Sequence, residues 1–170
     1  MPTVHPAPLP PDSLLHRYGG ERGYVDCFVT DLPRTVTHAD YVTAFYTTGL
    51  FKCERLILRL AARRPSSDSE AAALGAGTAD RFAAWSVEAR SANQLLLCDF
   101  TGRTRSLLMT EALPDASGTR LRFGSAVVKE ADAGRGHPRM PRGFGLLLGF
   151  HNLYSRLLLS AARRRLLAGR

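Results

Sequence analysis

Apolar and polar residues alternate with period two through much of the second half of the chain. The alternation covers four consecutive segments, at about 82–91, 94–101, 103–113 and 118–130. This period is typical of half-buried strands, and turn-forming residues between the segments favour links between antiparallel neighbours. The pattern predicts an antiparallel meander with one apolar and one polar face, and the alternating segment YVDCFVTD predicts a further strand at 24–31.

Helical spacing replaces the alternation between residue 37 and residue 64. One helix is expected at about 37–48, with Thr37 as its N-cap, because a threonine hydroxyl accepts a hydrogen bond from an unpaired N–H of the first turn. A second helix is expected at 50–64. We expect four of its positions to face inward: Leu50, Cys53, Ile57 and Leu60. The polar, glycine-rich stretch 65–77 indicates a loop, with one helical turn at 70–74.

A long helix is predicted near the end of the chain, at about 143–167. Its apolar stripe follows i, i+3, i+4, i+7 spacing and comprises Phe144, Leu147, Leu148, His151, Ser155, Leu158, Leu159, Ala162 and Leu166. It is the one long amphipathic segment able to cover the apolar face of the sheet. We therefore expect a single α+β domain at 24–170, with a curved antiparallel sheet gripping this C-terminal helix.

The first 13 residues of the chain are rich in proline. Five prolines lie within residues 1–13, where they oppose both helix and central strand. A short helix is expected within 14–23. Residues 1–23 are therefore expected to be a tail, or an arm laid on the surface of the domain.

Positive charge is concentrated at the end of the chain. Residues 135–170 carry eight arginines and no acidic residue, which accounts for the whole net charge of +8. One explanation is an anionic partner, namely a phosphate, a membrane surface or nucleic acid. The other is a solvated helix end that suits the helix dipole. Only two of the 23 basic residues are lysines, an arginine preference typical of a GC-rich bacterial genome.

Several functional classes are not supported by the sequence. The chain has no phosphate loop, dinucleotide fingerprint, zinc signature or nucleophile elbow, so no cofactor and no metal are predicted. The cysteines Cys27, Cys53 and Cys98 stand alone among apolar residues, which predicts buried free thiols. No secretory signal and no long apolar run are visible, so a cytoplasmic location is expected.

Three segments resemble parts of a known superfamily. They are YVDCFVTDLP at 24–33, CDFTGRTRSLLM at 98–109 and GFHNLYSRLLLSAARRR at 149–165, the last with a His-x-x-Tyr pattern. The chain resembles the helix-grip proteins of the START-like and polyketide-cyclase-like (SRPBCC) superfamily, as an uncharacterised bacterial family related to it. The resemblance implies a sheet around the last helix with a cavity between them. It also implies an apolar ligand such as a lipid, steroid or polyketide, with cyclase or hydrolase activity in some members.

The strands and the last helix together predict a partly open apolar cavity that binds a small apolar or amphiphilic molecule. Seven residues are expected to line it: His151, Tyr154, Trp85, Met109, Phe123, Phe144 and Leu148. His151 is the sharpest candidate for chemistry, because an imidazole can bind a ligand oxygen or exchange a proton near neutral pH. The alternative is a core histidine satisfied by one partner.

Two further interpretations of function remain open. In the first, His151 pairs with Asp26 or Asp99 as the acid/base couple of a cyclase- or hydrolase-type enzyme. In the second, the arginine-rich end binds an anionic membrane or nucleic acid. The loop GRGHPRMPRG belongs with the second, since Arg135, Arg139 and Arg142 precede a helix N-terminus and are candidates for anion binding.

Overall fold

The computed structural model describes residues 4–20, 23–128 and 144–169, with the backbone alone at 61–62 and 144–150. These residues contain seven strands, namely β1 (His5–Pro6), β2 (Gly23–Leu32), β3 (Arg81–Phe82), β4 (Trp85–Arg90), β5 (Gln94–Asp99), β6 (Thr104–Ala112) and β7 (Thr119–Val128). The helices are α1 (His38–Tyr46), α2 (Gly49–Ala62), α3 (Asp68–Gly75) and α4 (Phe144–Ala168), and a 3-10 helix spans Leu14–Tyr18.

All seven strands belong to one sheet, in the order β1-β2-β7-β6-β5-β4-β3. Every neighbouring pair is antiparallel. The predicted meander is therefore confirmed, and β2 joins it by pairing with β7 along its whole length, from Gly23 opposite Val128 to Leu32 opposite Thr119. The predicted α+β architecture, an antiparallel sheet with a long C-terminal helix, is also confirmed at this level.

The main core lies between the inner face of the sheet and the helices α1, α3 and α4. From α4 it receives Ser155, Leu158, Leu159 and Ala162, all buried as the helical spacing predicted. Helix α1 begins with a capping box, in which the Asp40 N–H donates to Thr37 Oγ1 at 3.0 Å and the Thr37 N–H donates to Asp40 Oδ2 at 3.2 Å. This start orients α1 so that Phe45 meets Phe123 on the sheet, with ring centroids 4.8 Å apart.

The outer face of the sheet is not wholly polar, which corrects the sequence prediction. A second buried cluster comprises Leu15, Leu96, Leu107, Met109 and Ala126. The segment QLLLCD of β5 is apolar at consecutive positions, so it supplies apolar side chains to both faces. The 3-10 helix covers this cluster, with Leu15 fully buried and the Leu14 N–H donating to Gln94 Oε1 at 2.9 Å. The proline-rich N-terminal segment is thus laid on the outer face.

Helix α2 is rotated from the predicted orientation, so that of its four expected inward positions Leu50 alone packs against the core. Ile57 and Leu60 are 63% and 73% exposed, and Cys53 is exposed, whereas Phe51 is buried. The Phe51 ring packs on Tyr46, with centroids 4.8 Å apart, and on Phe82. Burial of this aromatic side chain fixes the rotation of the helix, because a large ring removes more apolar area from water than one aliphatic side chain.

Candidate functional site

A cavity lies between the inner face of the sheet and the helices α1, α2 and α4. Its volume is about 190 Å³, and its wall is rich in aromatic rings. The aromatic wall residues are Phe45, Tyr46, Phe51, Trp85, Phe123 and Tyr154. His151 also lines it and retains 35% side-chain exposure, so this end of the cavity meets solvent.

Three buried polar atoms at this wall have no hydrogen-bond partner in the described part of the chain: Tyr46 Oη, Trp85 Nε1 and Ser155 Oγ. Tyr46 and Ser155 are each only 1% exposed. Burial raises the pKa of Tyr46 well above its usual range, although the nearby Ser106 side chain opposes this effect, so the phenol stays neutral and keeps its proton. A buried polar group without a partner is destabilising by about 1–3 kcal/mol, so this wall favours a polar group inside the cavity.

A second polar group stands where α4 crosses β2 and β7. Asp26 and Ser125 are directly opposite each other in the sheet, and both face α4. The Ser125 hydroxyl donates to Asp26 Oδ1 at 2.5 Å, and its Oγ lies 2.6 Å from His151 Nε2. His151 Nε2 is also 3.3 Å from Asp26 Oδ2. The structure therefore brings together His151 and one of the two carboxylates considered as its partner.

The number of protons available decides which groups donate and which accept in the cluster of Asp26, Ser125 and His151. Because a hydroxyl has one proton and Ser125 donates it to Asp26, the contact at Ser125 Oγ requires a proton on His151 Nε2. In a nucleophilic triad the carboxylate would instead hold Nδ1 and leave Nε2 to accept the serine proton. In the tautomer with the proton on Nε2, His151 donates to Ser125 and does not activate it as a nucleophile.

The other candidate carboxylate, Asp99, lies elsewhere and has a local structural role. It accepts hydrogen bonds from the N–H groups of Arg103 and Thr104, both at 2.9 Å, and from the Thr101 hydroxyl. Partial burial acts to raise the pKa of Asp99, but these hydrogen bonds outweigh it and lower the pKa. Asp99 thus closes the turn between β5 and β6 and does not contact His151.

Glu54 is a wall residue that sequence reasoning missed. It projects inward from α2, where the Tyr154 hydroxyl donates to Glu54 Oε2 at 2.5 Å. Burial raises the pKa of Glu54, although the Tyr154 hydrogen bond opposes this effect. One signal was available in the sequence, since Glu54 is the only acidic residue between Lys52 and Arg64. An isolated carboxylate among basic and apolar residues is a candidate for a specific buried partner.

The predicted lining residues divide into three groups. His151, Tyr154, Trp85 and Phe123 line the cavity. Met109 does not, because it belongs to the outer cluster on the opposite face of β6, and this prediction was wrong. The side chains of Phe144 and Leu148 lie outside the described part of the structure, as do the anion-binding candidates Arg135, Arg139 and Arg142.

The described arginines of α4 do not share one role. Arg163 donates to the Asp31 carbonyl at 3.0 Å, and Arg156 lies over the ring of Phe28. Arg164 and Arg165 are exposed near the end of the helix. The cluster expected from the sequence is therefore partly used in contacts with β2, and Arg164 and Arg165 are exposed beyond those contacts, as Arg156 is exposed above the Phe28 ring.

A wider, open groove of about 760 Å³ lies between α1, α3 and the end of α4. Its wall includes several alanines and Arg34. The Arg34 guanidinium donates to the carbonyls of Leu166 and Gly169, both at 2.9 Å, and so satisfies the last turn of α4. These contacts explain Arg34 as a structural residue, so the aromatic cavity is the better candidate site.

Comparison of the chain with protein-family models, with curated proteins and with solved structures finds no match. Within residues 4–20, 23–128 and 144–169, no three histidine, cysteine or acidic side chains are grouped in a way that would hold a metal ion. No helix in the same ranges combines the length and the apolar content that crossing a membrane requires.

Proposed function

We propose that this protein binds a small aromatic amphiphile in the cavity between the sheet and α4. The observation that carries the proposal is the combination, on one aromatic wall, of three buried polar atoms without described partners: Tyr46 Oη, Trp85 Nε1 and Ser155 Oγ. A ligand with a hydroxyl, carbonyl or amide group would satisfy these atoms, and its ring would pack against the aromatic side chains. The sheet around a C-terminal helix also supports our proposal that the fold is of the helix-grip, START-like class.

The volume of the cavity limits the size of the ligand. A dry cavity of about 150 Å³ accepts benzene, whereas drug-sized ligands occupy sites of about 300–1,000 Å³. At about 190 Å³, the cavity suits one ring with a short polar substituent. A steroid or a long-chain lipid would require the helices to move away from the sheet.

The single tryptophan of the chain makes this proposal directly testable. Because Trp85 lies in the cavity wall, a bound 4-bromophenol would quench its fluorescence by contact. We expect saturable quenching that phenol reverses by competition. Toluene, of similar size but without a hydroxyl group, should compete more weakly, since it leaves the polar atoms unpaired.

Two substitutions on α4 provide a matched comparison. Ser155→Leu should abolish the saturable quenching, because the added side chain fills the cavity. Ser160→Leu, the same change at a half-buried position that does not line the cavity, should leave it intact. Quenching that rises linearly with 4-bromophenol and is equal in both variants would mean random collision, and the proposal would then be wrong.

A second candidate function is acid/base catalysis by His151, with Asp26 as a positioning residue. It is favoured by one observation, the 3.3 Å contact between His151 Nε2 and Asp26 Oδ2 beside a cavity that His151 lines. In this case the imidazole would transfer a proton to or from an oxygen of the bound ligand. Ligand turnover that His151→Gln abolishes while 4-bromophenol binding persists would support catalysis, and ligand recovered unchanged by mass spectrometry would refute it.

A further inference from the structure

The outward face of α2 is apolar although it is exposed to solvent. Leu56, Ile57 and Leu60 are 54%, 63% and 73% exposed, and Cys53 lies on the same side of the helix. The neighbouring helix α4, tied to α2 by the hydrogen bond between Tyr154 and Glu54, exposes Leu153 and Leu157. Clustered exposure of large aliphatic side chains marks an interaction surface, because single exposed residues are common but groups of them are rare.

Positive charge lies along the C-terminal half of this face, whereas Lys52 and Arg55 nearer the start of the helix are paired with Asp68. Arg59, Arg63 and Arg64 follow the exposed aliphatic residues, and Arg64 lies over the ring of Phe100, itself 56% exposed. Among the described residues, none of these three arginines forms a salt bridge with a carboxylate. The only acidic residue of α2, Glu54, is turned inward to Tyr154. The face therefore presents aliphatic side chains and uncompensated cations together.

We propose that the outward face of α2 docks on an anionic lipid bilayer, with Leu56, Ile57 and Leu60 entering the boundary of the acyl chains. Arg59 and Arg63 would contact lipid phosphates while their methylene stems pack along the apolar face. This arrangement matches helices that lie in the plane of the membrane, where buried aliphatic side chains and basic residues contribute together. The proposal concerns the outer side of α2 and does not depend on what the cavity binds.

Two properties of the face argue against a second copy of the chain as its partner. A stable dimer buries about 800 Å² on each partner, more than the exposed parts of Leu56, Ile57 and Leu60 provide. A twofold contact would also bring the arginines of both copies together, and like charges facing each other oppose association. An anionic surface removes both difficulties, since it is extended and carries the complementary charge.

The chain contains its own probe for this proposal. Cys53 is exposed on the docking face, Cys27 is buried, and Cys98→Ser removes the remaining partly accessible thiol. We would label Cys53 with an environment-sensitive nitrobenzoxadiazole dye and add vesicles of phosphatidylcholine with about 30% phosphatidylserine. We expect a saturable blue shift, no shift with pure phosphatidylcholine, and reversal in about 500 mM NaCl, where the Debye length falls to roughly 4 Å.

Three variants separate the contributions to binding. Ile57→Ser with Leu60→Ser should weaken vesicle binding by at least about tenfold, because the aliphatic burial is lost. Arg59→Gln with Arg63→Gln should weaken it by roughly 25-fold, about fivefold for each charge. The matched control, Arg164→Gln with Arg165→Gln, removes the same charge from exposed positions of α4 and should have a much smaller effect. All three change exposed residues, so circular dichroism should confirm that they are folded.

Each contrary result would overturn the proposal. An absent blue shift at low salt means that this face does not bind lipid, and equal loss in the two arginine pairs means that net charge alone drives binding. A dimer by light scattering, with Cys53 protected from the dye, would identify a second copy as the partner. An equal blue shift with polyglutamate would identify an acidic protein partner. Because the cavity is read through Trp85 and this face through Cys53, failure of one proposal is distinguishable from failure of the other.

Discussion

Two buried tyrosines of α1, Tyr41 and Tyr46, differ in how their hydroxyl groups are hydrogen-bonded. Tyr41 and Tyr46 are both at most 1% exposed. The Tyr41 hydroxyl donates to the Arg122 carbonyl at 3.0 Å. The Tyr46 hydroxyl faces the cavity and forms no hydrogen bond of ordinary geometry among the described residues, although the Ser106 side chain lies near enough to lower its pKa. If the cavity wall is built for a ligand, removing the Tyr46 hydroxyl should stabilise the empty protein and weaken ligand binding.

The magnitude follows from the energies of buried polar groups. An unpaired buried hydroxyl is destabilising by about 1–3 kcal/mol, and a water in the cavity would reduce this, so we expect Tyr46→Phe to raise the free energy of unfolding by about 1 kcal/mol. Tyr41→Phe removes a made hydrogen bond and should lower it by about 1 kcal/mol. For a chain of this length, 1 kcal/mol corresponds to a Tm shift of about 2–4 °C, in opposite directions for the two variants.

Thermal unfolding followed by circular dichroism measures the stability, and Trp85 quenching by 4-bromophenol measures the affinity. We expect Tyr46→Phe to bind 4-bromophenol about three- to tenfold more weakly, the equivalent of one hydrogen bond, while Tyr41→Phe binds it normally. A Tyr46→Phe variant that melts below the wild-type protein would show that the hydroxyl has a partner in the empty protein. The cavity would then not be expected to prefer a polar ligand.

Three further results are expected. Burial raises the pKa of Glu54 in the folded protein, so its contribution to stability is fully present below the unfolded pKa of 4.5 and is lost as pH rises through the folded pKa. Glu54→Gln should therefore make the free energy of unfolding, measured in urea, less dependent on pH in this window and should raise it at pH 7. An unchanged pH profile would contradict the burial of Glu54. Met109→Ala should lower the free energy of unfolding by about 2–5 kcal/mol without changing 4-bromophenol affinity, because Met109 packs in the outer cluster and not in the cavity. Burial raises the pKa of Cys27 to about 11, so iodoacetamide at pH 8 should alkylate Cys53 first and Cys27 last, as peptide mass spectrometry would establish.

The elements of the fold could be predicted because their periodicity is strong and continuous. The strand boundaries at 94–99 and 104–112 fall within two residues of the predicted ones, and the long C-terminal helix within one. The rotation of α2 could not be predicted in the same way, because Leu50, Phe51, Leu56, Ile57, Leu58 and Leu60 place apolar groups on most sides of the helix. The choice of face depends on the rings of Tyr46 and Phe82, which are contributed by other elements.

Individual residues of the candidate site could be predicted from the sequence, but their proximity to one another could not. His151 lies on a readable apolar stripe, and Asp26 alternates with apolar residues in its strand. Their proximity depends on the register that sets Asp26 opposite Ser125, and a shift of one residue would turn Asp26 to the outer face. Nothing in either strand alone specifies that register. The outer cluster was missed for a related reason, since its cover comes from residues before the first predicted strand.

The two outermost strands of the sheet, β1 and β3, are each two residues long. Pro6 in β1 lacks an N–H group, and three more prolines follow it within five residues. An exposed strand edge is a template on which other chains can add in an amyloid-like manner, and nature blunts such edges with short strands and prolines. β1 pairs with Val29 and Phe28 in the middle of β2, so the arm interrupts the free edge of that long strand. Deletion of residues 1–12 should therefore lower the solubility of the protein before it lowers its folding stability.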